Sequence, residues 1–301
     1  VSNDNHVSTK SMNMGNAELE DMDEKYGRRQ REGLRARKPR DYSHLFHVVG
    51  HVFNTGESTL DQKTTGAHIA TPQVNMKKGI KMFGDAGRAA IRKEAKQLHD
   101  VNAVKPKHKK QLTRDQLKMA LEYLMFLKRK RCGRIKARGC ADGRPQRAYI
   151  PRDEATSPTA ATQSVILTAV IDALERRYVT YVDIPGAFLQ AFNDDETYVV
   201  IRGEMVDQLV AVDPELYEPY VIYERGEKCL YLQAVMALYG TLKAARLFWE
   251  MLSKVLTEDW GFTINAYDAC VANKIINGKQ MTIVWHVDDM KISHEDPEVV
   301  K

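Results

Sequence analysis

Apolar residues recur along this chain at two periods, and the places where the period changes mark its elements. In "DAGRAAIRKEAKQLHDV", from Asp85, the residues Ala86, Ile91, Ala95 and Leu98 fall near one helical face. Thr113 with Gln116 forms a capping box and predicts a second helix opening "RDQLKMALEYL". The basic run "MFLKRKRCGRIKARG" reads as a hairpin turning at Cys132-Gly133, because Gly133, Gly139 and Gly143 argue against a continued helix. Ser157-Pro158 has cap and first-turn chemistry for a helix through "AATQSVILTAVIDALERR", which leads into the strand "YVTYVDI". A further amphipathic helix, "TLKAARLFWEMLSKVLTEDWG", puts Leu247, Met251 and Val255 on one face and stops at Gly261. Near the end the period drops to two: Met281, Ile283, Trp285 and Val287 share one parity, and Met290 and Ile292 resume the apolar character. Asn277-Gly278 joins "CVANKII" to "KQMTIVW" as a tight turn, so three consecutive antiparallel strands are predicted.

Residues 1–75 show little of this periodicity and read as a disordered tail or linker, followed by a basic region over 76–155 and a mixed helix and strand region over 156–301. The 301 residues, 43% of them hydrophobic, suffice for one large or two ordinary domains. No apolar run approaches the length of a spanning helix, which excludes a membrane protein. The start "VSNDNHVSTK" is not a secretory signal. Cys132, Cys140, Cys229 and Cys270 lack CxxC spacing and read as reduced thiols of an intracellular protein. His44, His47 and His51 lack cysteine or acidic company and make a poor zinc site.

The net charge of +5 hides an asymmetry. Residues 77–147 hold 22 Lys and Arg against 6 Asp and Glu, a net of +16 that leaves −11 for the rest. A solvated helix face explains part of such an excess. The remainder points to a polyanion partner, where phosphate neutralisation and counterion release supply affinity.

Against that basic region stand acids at strand ends. Asp288 and Asp289 sit at the tip of the last predicted hairpin, and Asp183 ends the strand "YVTYVDI" before Pro185-Gly186. Short acids are common at turns for local hydrogen-bonding reasons alone. Held on rigid strands, however, the pair can grip a divalent cation, and two oxygen donors are too few for a firm magnesium site. If the two strands are neighbours, Asp183 completes a set able to hold two Mg²⁺ ions for in-line phosphoryl displacement, which here means nucleotidyl transfer.

Three blocks, "YVDIPGAFLQAF", "KCLYLQAVMALYGTLKAARLFWEML" and "VWHVDDMKISH", in that order and spacing, resemble the reverse transcriptase domain of Ty/copia-type retrotransposon polyproteins. The resemblance runs from about residue 77 to 301 and implies an α+β, right-hand-like architecture. In it, 76–155 is a basic fingers region and 156–301 a partial palm, whose antiparallel sheet carries the helices from Ser157 and Thr241 on one face and turns the other to the template. "GRIKARGCADGRPQR" looks like the fingers segment and "EATSPTAATQSVIL" like the entry into the palm, while "GLRARKPRDYSHL" is similar to the connector between integrase and polymerase.

Carried over residue by residue, the resemblance implies Asp183, Asp288 and Asp289 as catalytic metal ligands for two Mg²⁺ ions, with the Ile184 carbonyl assisting. It implies Phe188 as the ring that excludes a ribose 2′-hydroxyl; without the motif Phe188 reads as a core aromatic. Tyr239 and Gly240 are placed under the incoming base and template, and Lys243 is a weaker phosphate candidate. Lys136 and Arg138 look like triphosphate-gripping residues, although general backbone binding explains them equally well. The implied partners are an RNA or DNA template with primer and deoxynucleoside triphosphates, in a cytoplasmic particle or the nucleus. Oligomeric state is not legible.

The chain departs from the family pattern in two places. His286 stands where a Tyr is usual, and the sequence ends at Lys301, before the family's thumb and RNase H domain. Two other classes remain: a catalytically inactive remnant that binds nucleic acid through its basic region, and a metal-dependent nuclease.

Overall fold

The computed structural model describes residues 73–301 apart from Arg131, so the histidine cluster and the connector-like segment lie outside the described residues. In chain order the elements used below are β1 (Val74–Asn75), α1 (Met76–Asp100), β2 (Val104–Lys107), α2 (Arg114–Met119), β3 (Leu121–Arg129) and β4 (Ile135–Ala141). Then follow α3 (Thr162–Leu174), β5 (Tyr178–Asp183), β6 (Tyr198–Arg202), α4 (Glu204–Val210), β7 (Ile222–Glu224), β8 (Glu227–Ala234), α5 (Ala244–Lys254), β9 (Thr263–Ile264), β10 (Val271–Ile276), β11 (Lys279–His286) and β12 (Asp289–His294). The mixture is α+β, as expected. Among the described residues no helix is long and apolar enough to cross a membrane, and all four cysteines are free.

Helix α1 begins earlier than its apolar stripe suggests. The Asn75 side chain accepts the Lys78 N–H as an N-cap, and Gly84 (φ 53°, ψ −131°) breaks the helix just before Asp85, where the predicted segment starts. The Thr113 capping box forms as read, but α2 ends at Met119. From Leu121 the pattern alternates, with Leu121, Tyr123, Met125 and Leu127 all buried on one strand face, and period-two burial overrides the helical start. The turn predicted at Cys132-Gly133 joins β3 to β4, with Gly133 at φ 80°.

Two sheets organise the described residues, and they are not consecutive in sequence. The first has the order β1-β3-β6-β8-β2, with β4 on the other edge of β3 and β7 on β8. Its core joins Ile91, Ala95 and Leu98 of α1 to Leu127, Val199, Ile201, Leu230 and Leu232. The second has the order β5-β12-β11-β10-β9. A single division at residue 155/156 therefore does not separate the sheets, since β6 to β8 rejoin the first sheet after β5 has been laid into the second. Val74 and Asn75 already pair with Leu127 and Phe126, so the sheet begins before residue 76.

The expectation that both flanking helices share one face of the second sheet is corrected. Ile283, Trp285 and Met290 pack with Phe248 and Leu252 of α5. The opposite parity carries Lys291, whose buried ammonium donates to Asp172 Oδ2 (2.7 Å) and Thr168 Oγ1 (2.8 Å) of α3. Arg177, after α3, likewise reaches Thr282 on that face. A strand with Lys291 pointing inward needs a polar partner there, and α3 supplies one. It does so with its polar side: Val165, Ile166, Leu167, Val170 and Leu174 remain exposed. The helix also starts later than Ser157. Ser157 donates instead to the Ala245 carbonyl, and the Ala161 N–H is taken by Asp268.

Candidate active site

The backbones of the three acids lie side by side at one corner of the second sheet. The predicted β10–β11 turn forms with Asn277 and Gly278 both at positive φ (52° and 75°), which matches the twist of the flanking strands. The next hairpin returns through Val287 and Asp288, with His286 paired to Asp289. Asp289 is in turn the direct partner of Asp183 across β12 and β5. The Ile184 N–H donates to the Asp288 carbonyl at 3.3 Å. Thus Asp183, Ile184, Asp288 and Asp289 are backbone neighbours, although only the last two are close in sequence.

Asp183 and Asp289 are exposed and Asp288 is half-buried. Among the described residues none of the three side chains is engaged in an ion pair, and no three His, Cys, Asp or Glu side chains are drawn together into a cation cage. Like charges directly opposed across a ladder repel, which favours neighbours through backbone over converged carboxylates. As donors they are hard, anionic oxygens on rigid strands, a set whose chemistry fits a hard divalent cation such as Mg²⁺.

Val287, between His286 and Asp288, has φ 58°. That region is unfavourable for a β-branched side chain, and such conformations persist only where the surroundings impose them. Here the two-residue hairpin imposes it.

A cluster of rings and a cation borders the acids. The Phe188 and Tyr239 ring centroids lie 4.5 Å apart, and the Arg138 guanidinium carbon stands 4.8 Å from the Tyr239 ring centroid. Burial pushes the Tyr239 hydroxyl up from its ordinary pKa, the Asp288 charge adds to this, and Arg138 opposes both. Phe188 also packs into the core of the second sheet, as its reading as a core aromatic expects. Gly240 (φ 92°) lies so close to the end of β4 that a Cβ would sit 2.1 Å from the Ala141 carbonyl oxygen. The Ala141 N–H donates to the Tyr239 carbonyl at 2.7 Å, which ties the first sheet to the ring cluster. Lys136 is exposed on the same face of β4 as Arg138.

Lys243 is not free for phosphate. Its ammonium, on a side chain only 13% exposed, is held by Asp194 (2.7 Å) and Asp195 (3.2 Å). Two residues that the sequence pattern does not single out also reach this border. Glu94 of α1 accepts the Gly139 N–H at 3.0 Å, and the Gln97 amide lies 2.5 Å from where a Cβ on Gly186 would stand. Their only sequence signal is a polar pair at i and i+3 flanking the buried Ile91, Ala95 and Leu98.

Residues 111–301, more than half of the chain, match the family model for reverse transcriptase (RNA-dependent DNA polymerase), and the chain belongs to that family. Within it the chain is of the Ty1/copia retrotransposon type. No curated protein matches it.

Proposed function

We propose that this chain carries the polymerase centre of a copia-type reverse transcriptase, with the first sheet and α1 acting as fingers and the second sheet as palm. The observation that supports it most is the ladder pairing of Asp183 with Asp289 beside the Asp288 turn. It brings three carboxylates, without an ion-pair partner among the described residues, to one strand-end corner next to a basic lobe. Asp183, Asp288 and Asp289 would hold two divalent cations, which when bound polarise the attacking 3′-hydroxyl and steady the leaving pyrophosphate.

The chain's own residues do the rest. Lys136 and Arg138 attract the triphosphate, the first as a point charge and the second as a fork. Tyr239, held between Phe188 and Arg138, offers its ring beneath the nucleotide, and Phe188 blocks space for a 2′-hydroxyl. The excess of Lys and Arg over 77–147 holds the template and primer by phosphate neutralisation. In the reaction the 3′-oxygen bonds to the α-phosphorus as the bond to the bridging oxygen breaks, and the hydroxyl proton passes to solvent.

Primer extension on an RNA template in Mg²⁺, run with wild type and Asp288→Asn, tests this. Extension by wild type and none by the variant is expected. Equal extension by both removes the metal-ligand role. Salt-sensitive binding without extension by wild type marks a polyanion binder, and cleavage without added nucleotide marks a nuclease.

A further inference from the structure

We propose that Glu94 is a positioning residue for the nucleotide grip: from α1 it pins the backbone of β4 at Gly139 and so fixes the stretch of strand from which Lys136 and Arg138 project. The proposal rests on the reading that these two cations bind the triphosphate.

The strand needs such a pin. Among the described residues β4 pairs within its sheet only with β3, so its outer edge presents N–H groups with no described strand to receive them. Gly139 lies between Arg138 and Cys140 and has no side chain to pack, which weakens a strand locally. Nor can it acquire one, because a Cβ would stand 2.0 Å from the Tyr123 hydroxyl oxygen, on a ring buried in the core. What holds this point is the hydrogen bond from the Gly139 N–H to Glu94 Oε1, at 3.0 Å.

Glu94 suits the task electrostatically as well. Burial pushes its carboxyl above the ordinary range, and the Gly139 hydrogen bond and the positive charges of Lys136 and Arg138 act against that. The geometry assigns Glu94 the part of acceptor for the backbone between the two cations. One helical turn on, Gln97 lies against Gly186, in the turn that follows Asp183. A single face of α1 thus touches both the strand of the grip and the exit from the catalytic strand.

The test uses the full chain, amide exchange at Gly139 and calorimetric titration with dATP in Mg²⁺. In Glu94→Ala the Gly139 amide should exchange faster and dATP affinity should fall about tenfold, the scale of one lost hydrogen bond to a charged group. Glu94→Gln keeps a carbonyl acceptor and should hold both within about twofold. Where the alanine variant does not fold, Glu94→Asp, whose shorter stem cannot reach Gly139, takes its place. Arg138→Ala should lose affinity with Gly139 still protected. Unchanged affinity in Glu94→Ala, or a glutamine variant as impaired as the alanine one, overturns the role of Glu94 alone. Wild-type affinity in both Arg138→Ala and Lys136→Ala overturns the triphosphate reading, and this proposal with it.

Discussion

Asp183 and Asp289 are direct partners across the antiparallel ladder of β5 and β12, so the end of one strand and the start of another present two carboxylates on the same face of a sheet. Like charges in that position destabilise a ladder by roughly 0.2–1 kcal/mol. Asp289→Asn should therefore raise the stability of the cation-free protein by about that amount. The urea midpoint reads this directly, with an unchanged slope showing that the denatured state is not involved. A lower midpoint would mean that the acid has a stabilising partner.

Val287 is held at φ 58° by the hairpin that displays Asp288. Asparagine tolerates this region, and strain there costs on the order of 1–3 kcal/mol. Val287→Asn should accordingly stabilise the fold by about 1 kcal/mol, whereas Val287→Ile, equally β-branched, should gain nothing. Chemical denaturation of both variants separates relief of backbone strain from a generic side-chain effect.

The buried pair of Lys291 and Asp172 joins α3 to the second sheet, with side chains 9% and 8% exposed. Removing one partner strands a buried charge, and Asp172→Ala should cost about 3–5 kcal/mol. Replacing both, as Asp172→Leu with Lys291→Met, should recover most of that loss. A double-mutant cycle measures the coupling; equal losses in the single and double variants would show that the pair does not act as a unit.

Acid should weaken the first sheet through Glu224. The hydrogen bond from Lys109 holds its carboxyl down at about 2, with Arg202 helping, against an ordinary value of 4.5. Because the folded value is depressed, the stabilisation is complete above the ordinary value and is lost as pH falls from about 4.5 to about 2. Glu224→Gln should thus be less stable than wild type at neutral pH, with the gap closing over that window. A gap that persists unchanged at pH 2 would assign the effect to packing.

Much of the site was legible because its signals are local. Asn277-Gly278, the alternation through Trp285 and the acids at strand ends each specify backbone geometry within a few residues, and pairing of the two strands follows if they are adjacent. The interleaving of the two sheets was not legible. β6 is buried on both faces, and a continuous apolar run such as "YVVI" carries no parity to say which sheet it joins. The side of the second sheet that α3 covers was hidden for a related reason: Lys291 looks like a solvent-facing residue until Asp172 is seen opposite it. Helix α2 was overread because a capping box fixes where a helix starts and says nothing of where tertiary burial ends it. Glu94 was missed since one acid on a basic helix reads as ordinary surface charge.

The account stands on Asp183, Asp288 and Asp289 forming one divalent-cation site, and Mn²⁺ binding followed by electron paramagnetic resonance tests it without requiring catalysis. Wild type should bind Mn²⁺ and release it to added Mg²⁺, and Asp183→Asn and Asp288→Asn should each weaken binding by at least about tenfold, since each removes an anionic ligand. Mn²⁺ affinity that is the same in wild type and both variants would contradict it.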